Sequence, residues 1–142
     1  MKTLRQIGAL PYVETDAGLL VLLITTRGRG SWTIPKGWPK PGLADSELAA
    51  REAFEEAGIT GSIATRPVGT FVYTKRLHLF SWVRCNVEIY PLSVNCQHLS
   101  WPEQGSRQAI WPEPGRAAAK VKESQLAGVL RAFDRSATAL RG

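Results

Sequence analysis

Four charged residues stand together in the run Arg51-Glu52-Ala53-Phe54-Glu55-Glu56-Ala57-Gly58-Ile59. On a helix, Glu52, Glu55 and Glu56 fall at i, i+3 and i+4, so three carboxylates share one face within reach of each other. Like charges at that spacing oppose a helix by roughly a few tenths of a kcal/mol per pair, and Arg51 offsets only part of this. Three hard oxygen ligands without interleaved lysines suit Mg²⁺ or Mn²⁺, cations that take few carboxylates and complete their shell with water and substrate phosphate. A solvated acidic face is the plainer reading of any short glutamate run. The context favours the metal, because the segment just upstream is stiffened by Pro35, Gly37, Pro39, Pro41 and Gly42. Such a loop brings backbone carbonyls and Lys36 up to the same ions.

The elements that must hold this face are legible around it. Asp45 or Ser46 can cap the helix start, Leu48, Ala49, Ala50, Ala53 and Phe54 favour or pack a helix, and Gly58 suits the left-handed position behind its end. "RQIGALPYV" and "GLLVLLITT" read as neighbouring strands, separated by the turn "ETDAG". Two longer strands are predicted around Tyr73 to Leu77, with Leu77, Leu79, Ser81, Val83, Cys85, Val87 and Ile89 on one face and Phe80 and Trp82 partly covering the other. Leu126, Val129, Leu130 and Phe133 form the stripe of an amphipathic helix that packs on the sheet, and "RSATALRG" reads as a loose tail. The uneven alternation predicts an α/β (α+β) chain, a mixed β-sheet with helices on its faces.

A length of 142 residues fits one ordinary core, so one domain over 1–142 is expected. Eighteen Lys and Arg against twelve Asp and Glu give a net charge of +6, which biases the surface toward anionic partners. Phosphorylated small molecules, nucleic acid and acidic headgroups all answer that description. Cys85 and Cys96 lie too far apart in sequence for a C-x-x-C pair and support neither a disulfide framework nor a zinc site. The longest apolar run, Gly18 to Ile24, is far short of a bilayer span, and the amino terminus lacks an h-region. No membrane partner is expected, and the expected location is cytoplasmic.

Gly37, thirteen intervening residues and then 51–59 resemble the Nudix box, G-x5-E-x7-R-E-U-x-E-E-x-G-U with U apolar. "LLVLLITTRGRGSWTIPKG" before it and "WPEQGSRQAIW" after it are similar to one branch, the diphosphoinositol polyphosphate and diadenosine polyphosphate phosphohydrolases and their bacterial relatives. Leu43 departs from the pattern, standing where the box has its first glutamate. That glutamate is peripheral to the metal-binding ones in the family, so the change bears on loop rigidity and ion number more than on activity.

The resemblance implies the Nudix fold, a mixed sheet sandwiched between helices, and hydrolysis of a phosphoanhydride by a metal-activated water. It implies Glu52 and Glu56 as metal ligands, Glu55 as a ligand or water-orienting base, the Gly37 carbonyl as a further ligand, and Arg51 as an ion-pairing residue that orients the glutamates. Arg27 occupies a position where polyphosphate-binding members keep a basic residue, and Lys36 beside the box glycine is similarly placed. Arg5, Lys75, Arg76 and Arg107 are weaker candidates for a phosphate-binding rim, each of which can equally be solvated. Glu103 is an extra ligand or base, or a plain surface acid. Trp32 and Trp38 stack on a base or pack, packing being the commoner fate, and His78 and His98 share no metal spacing.

The expected activity is therefore that of a Mg²⁺-dependent pyrophosphohydrolase acting on a highly phosphorylated small molecule, a dinucleoside polyphosphate or a diphosphoinositol polyphosphate. RNA 5′-pyrophosphohydrolase or nucleotide-sugar hydrolase activity is the alternative within enzymes, which leaves nucleic acid as a weaker partner. A non-catalytic nucleotide-binding module is the alternative outside them, and the oligomeric state is left open.

Overall fold

A long strand, β1 (Thr3–Thr15), is buried without interruption from Gln6 to Pro11, as a strand must be when both faces of its sheet are covered. The computed structural model describes residues 2–28 and 30–141, with side chains as far as 133. β1 turns back antiparallel into β2 (Gly18–Val21), the neighbour its sequence predicts, but the single strand expected over "GLLVLLITT" divides at Leu22, so that β3 (Leu23–Thr25) joins a different sheet; β4 (Trp32–Thr33) and β5 (Lys36–Gly37) follow. Helix α1 (Asp45–Ala57) leads to β6 (Ile59–Ile63), β7 (Gly69–His78), β8 (Ser81–Gln97), β9 (Ala109–Ile110), α2 (Pro114–Lys120) and α3 (Ser124–Arg141).

β1 and β8 pair in parallel along ten register positions and form the spine of a six-stranded mixed sheet. The free edge of β1 is divided between β5 and β2, and that of β8 between β7 and β6. A three-stranded sheet, β4-β3-β9, lies beside it. One core cluster joins Leu10, Val21, Phe71, Val87 and Ile89 to Leu126 and Leu130 of α3. The other joins Ile7, Ala9, Tyr90 and Leu92 to Leu48, Ala49 and Ala53 of α1. The sheet is thus sandwiched, with α1 on one face and α2 and α3 on the other, as the alternation of elements predicts.

Three local expectations are corrected. The residue before α1 is Ala44 and no side chain caps the helix, so Asp45 and Ser46 lie inside its first turn. The apolar face predicted from Leu77 to Ile89 breaks at the turn of residues 79 and 80 between β7 and β8. Only from Val83 onward are its members buried, whereas Leu77, Leu79, Phe80 and Trp82 are exposed because the hairpin projects beyond the helices. Helix α3 runs on to Arg141 through the segment read as a loose tail, where Ala137, Ala139 and Leu140 supply helix propensity. Among the described residues no helix is long and apolar enough to cross a membrane.

Candidate active site

The carboxylate face of α1 is laid against β5, and the fit depends on a missing side chain. A Cβ at Gly37 would collide with the Glu52 carboxyl group, so any other residue there would displace the end of that side chain. At the neighbouring position the Lys36 N–H donates to Glu56 Oε2 at 3.4 Å. Helix α1 stops just beyond its acids: Gly58 adopts φ 70° and its N–H returns to the Phe54 carbonyl at 2.9 Å.

Glu52 and Glu56 are both buried, and their carboxyl groups share a hydrogen bond. Burial, reinforced by that bond, pushes the Glu56 carboxyl up to about 9, against the pull of Arg107. Burial also raises Glu52, although the bond it accepts from Glu56 acts the other way. Glu55, half-buried, lines the same cleft one turn from Glu52.

The cleft above these acids has a volume of about 970 Å³. Arg27, Lys36, Lys40, Lys75, Arg76 and Lys122 supply its positive charge, and Trp32, Trp38, Tyr73 and Trp82 its aromatic walls. The Lys36 ammonium lies 4.9 Å from the Tyr73 ring centroid, and burial lowers its pKa. The Tyr73 hydroxyl donates to Gln6 Oε1 at 2.6 Å.

The loop after β8 delivers the remaining charges. The Glu103 N–H donates to the Glu55 carbonyl at 3.0 Å, which fastens the loop to the end of α1. Arg107 then contacts Glu103 at 3.1 Å, Glu56 at 3.7 Å and the Thr25 carbonyl at 3.1 Å. Arg27 reaches Glu103 from the opposite side at 3.2 Å.

The structure brings together Gly37, Glu52, Glu55, Glu56, Lys36, Arg27 and Arg107, and it separates two other predicted residues from them. Arg51 is exposed and outside the cleft, and among the described residues it forms no ion pair with the glutamates. It precedes Glu52 by one residue, about 100° around the helix. Arg107 makes the ion pair expected of Arg51. Arg5 lies on the α1 face of the sheet, where it bridges Asp45 at 2.7 Å and Glu88 at 3.0 Å. The cleft also contains Tyr73, Trp82 and Glu123, for which the sequence carries no functional signal; the spacing of Glu103 and Arg107 by four residues is the one local hint of their pairing.

A metal fits this donor set in chemical type. Two buried acids, a half-buried third and a glycine carbonyl are all hard oxygens, and the cost of burying two carboxyl groups side by side is one that a divalent cation would relieve. Among the described residues, no three acidic, histidine or cysteine side chains converge on one point. Water and substrate oxygens would have to complete the shell, as Mg²⁺ prefers.

Comparison with known proteins places this chain in a class. Residues 2–130 match the family model of the NUDIX domain, and the chain belongs to the Nudix family. It is 30% identical over 131 residues to Nudix hydrolase 21, chloroplastic, of Arabidopsis thaliana, covering 89% of this chain and 64% of that protein. It is 36% identical over 84 residues to the asymmetrical bis(5′-nucleosyl)-tetraphosphatase of Sus scrofa, covering 59% of this chain and 55% of that protein. The matched stretches thus span between half and two thirds of these relatives. The crystal structure of a C. elegans Ap4A hydrolase binary complex superposes with a TM-score of 0.69 over 96% of this chain and 98% of that one, at 21% identity, a likeness of fold.

Proposed function

We propose that this chain acts as a single-domain, Mg²⁺-dependent hydrolase of a phosphoanhydride bond in a highly phosphorylated small molecule, with a dinucleoside polyphosphate the preferred substrate class and a diphosphoinositol polyphosphate the second. The observation that carries the reading is the buried Glu52–Glu56 pair packed on Gly37 in a cleft that cations and aromatic rings also line. A non-catalytic binding module has no use for two desolvated acids on one helix face, whose charge opposes both the fold and an anionic ligand. The aromatic walls favour a substrate with bases over an inositol, and the likeness to the tetraphosphatase supports the same choice.

Glu52, Glu56 and the Gly37 carbonyl would hold the ion, with Glu55 as a fourth donor. When bound, Mg²⁺ neutralises phosphate charge and acidifies a water molecule. Lys36 and Arg27 bind phosphates away from the cleaved bond, and that binding energy positions the reacting phosphate over the acids. Arg107 keeps Glu103 and Glu56 in place. Glu55 or Glu103 accepts the proton of the attacking water as its oxygen joins phosphorus and the anhydride P–O bond breaks, the leaving phosphate departing with that electron pair. The free thiols Cys85 and Cys96 suit a reducing compartment such as the cytoplasm.

Glu56→Gln tests the proposal, since it deletes a charged ligand at constant volume. With Mg²⁺ and diadenosine tetraphosphate, a diphosphoinositol polyphosphate and a nucleoside triphosphate assayed in parallel, the variant should melt as a folded protein and lose most of kcat on every substrate. Near-normal turnover by folded Glu56→Gln would falsify the assignment.

A further inference from the structure

Two oppositely charged side chains in the cleft lack a direct partner. Among the described residues the Lys36 ammonium has only the Tyr73 ring against it and no carboxylate within ion-pair distance. Glu123 lines the same cleft and is close enough for its charge to act on Lys36, but the two form no ion pair. Its Oε1 is fully buried and accepts no hydrogen bond. Buried carboxyl oxygens are nearly always partnered, and an orphan in a ligand cleft calls for a donor.

The backbone at Glu123 is held by its surroundings. Glu123 immediately precedes α3, and its carbonyl accepts the Ala127 N–H at 3.0 Å. Two residues on, Gln125 Oε1 accepts the Val72 N–H at 2.7 Å and ties the start of α3 to β7. Tyr73, next to Val72, presents its ring to Lys36. One stretch of cleft wall therefore offers an anion, an aromatic face and a cation side by side.

We propose that Glu123 is a specificity-determining residue: its carboxylate, turning the unpartnered oxygen toward the cleft that the residue lines, accepts a hydrogen bond from a neutral donor on the nucleoside end of the substrate while Lys36 takes the adjoining phosphate. The proposal rests on the phosphoanhydride-hydrolase reading above and selects within it. A nucleoside polyphosphate carries hydroxyl and N–H donors next to its phosphate chain, and satisfies both groups at once. A fully phosphorylated inositol presents only anions to Glu123 and is repelled there, so the same carboxylate attracts one class and rejects the other. The donor is a ribose hydroxyl or a base N–H, which are alike in chemistry and separable by analogue.

The test uses binding, so that it stands apart from turnover. Affinities of wild type, Glu123→Gln and Glu123→Ala are measured by calorimetry with ADP, 2′,3′-dideoxy-ADP, purine riboside diphosphate and inorganic pyrophosphate. Glutamine keeps the shape, alanine removes both oxygens, and ligand-free melting checks the fold of each. ADP should weaken by about ten- to a hundredfold in Glu123→Ala, the scale of a charged hydrogen bond, and by less in Glu123→Gln, which keeps a neutral acceptor, while pyrophosphate binding stays level or tightens in both. The analogue that is already weak on wild type and indifferent to the substitution identifies the donor. Unchanged ADP affinity, or parallel losses for ADP and pyrophosphate, would overturn the proposal. Failure of the wild type to hydrolyse any phosphoanhydride would overturn the activity instead, and the ADP-to-pyrophosphate ratio would still decide the role of Glu123.

Discussion

Gly37 and Glu52 touch so closely that the carboxyl group of one fills the space where the other would carry a Cβ. A methyl group at position 37 must therefore push Glu52 away from β5 or pry the strand from α1. Gly37→Ala should cost about 1–3 kcal/mol of stability, as overpacking does. It should also lower kcat by on the order of a hundredfold, because an ångström of misplacement in a catalytic group has that effect. Thermal melting and Mg²⁺-dependent hydrolysis measure the two, and a variant with wild-type values of both would show that the contact is slack.

The raised Glu56 pKa couples metal binding to pH. In the folded, metal-free protein the carboxyl keeps its proton up to about 9, whereas in the unfolded chain it loses it near 4.5. Its contribution to stability is thus fully present below the lower value and is lost progressively as pH rises toward the upper one. A divalent cation must displace this proton, so binding tightens with pH over the same window. The rise in melting temperature on adding Mg²⁺ should grow from pH 5.5 through 7 to 8.5. A rise independent of pH would place the ion away from Glu56.

Arg107 and Arg27 both contact Glu103, yet they differ in burial, with side-chain exposures of 14% and 63%. Removing the more buried one leaves Glu56 without its cation and Glu103 with only the exposed Arg27. Arg107→Ala should cost about 1–3 kcal/mol of stability and slow every substrate alike. Arg27→Ala should change stability by less than about 1 kcal/mol, as exposed pairs do. Its loss should fall on kcat/KM for long polyphosphates, by about 1.5–3 kcal/mol, and spare triphosphates. Both substrates are assayed at one salt concentration, since screening mimics the effect. Equal losses on both would remove Arg27 from the remote phosphates.

Leu43, at the position of the first box glutamate, is partly buried against the core cluster under α1. Leu43→Glu should therefore act chiefly on stability, costing about 1–2 kcal/mol of apolar burial, and change kcat by less than about tenfold. Titration melts and initial rates distinguish the two effects. A large gain in rate would mean that the natural residue cripples the enzyme.

The sequence by itself determined what depends on neighbours along the chain. Spacing at i, i+3 and i+4 put Glu52, Glu55 and Glu56 on one helix face, Gly58 ended that helix, and strand periodicity with an amphipathic final helix defined a covered mixed sheet. Only tertiary structure decided which cations meet those acids. Arg51 adjoins Glu52 in sequence but turns to solvent, while Arg107 reaches Glu56 through a loop whose path is set by the Glu103–Glu55 backbone bond. Parity in β1 made a second such decision. Gln6 faces the cleft and Arg5, one residue earlier, the opposite side, because successive side chains of a strand alternate and the buried face fixes the register. Composition counts Arg5 and Arg107 alike as phosphate-binding candidates; the direction in which each side chain leaves the backbone depends on contacts made by residues far apart in the chain.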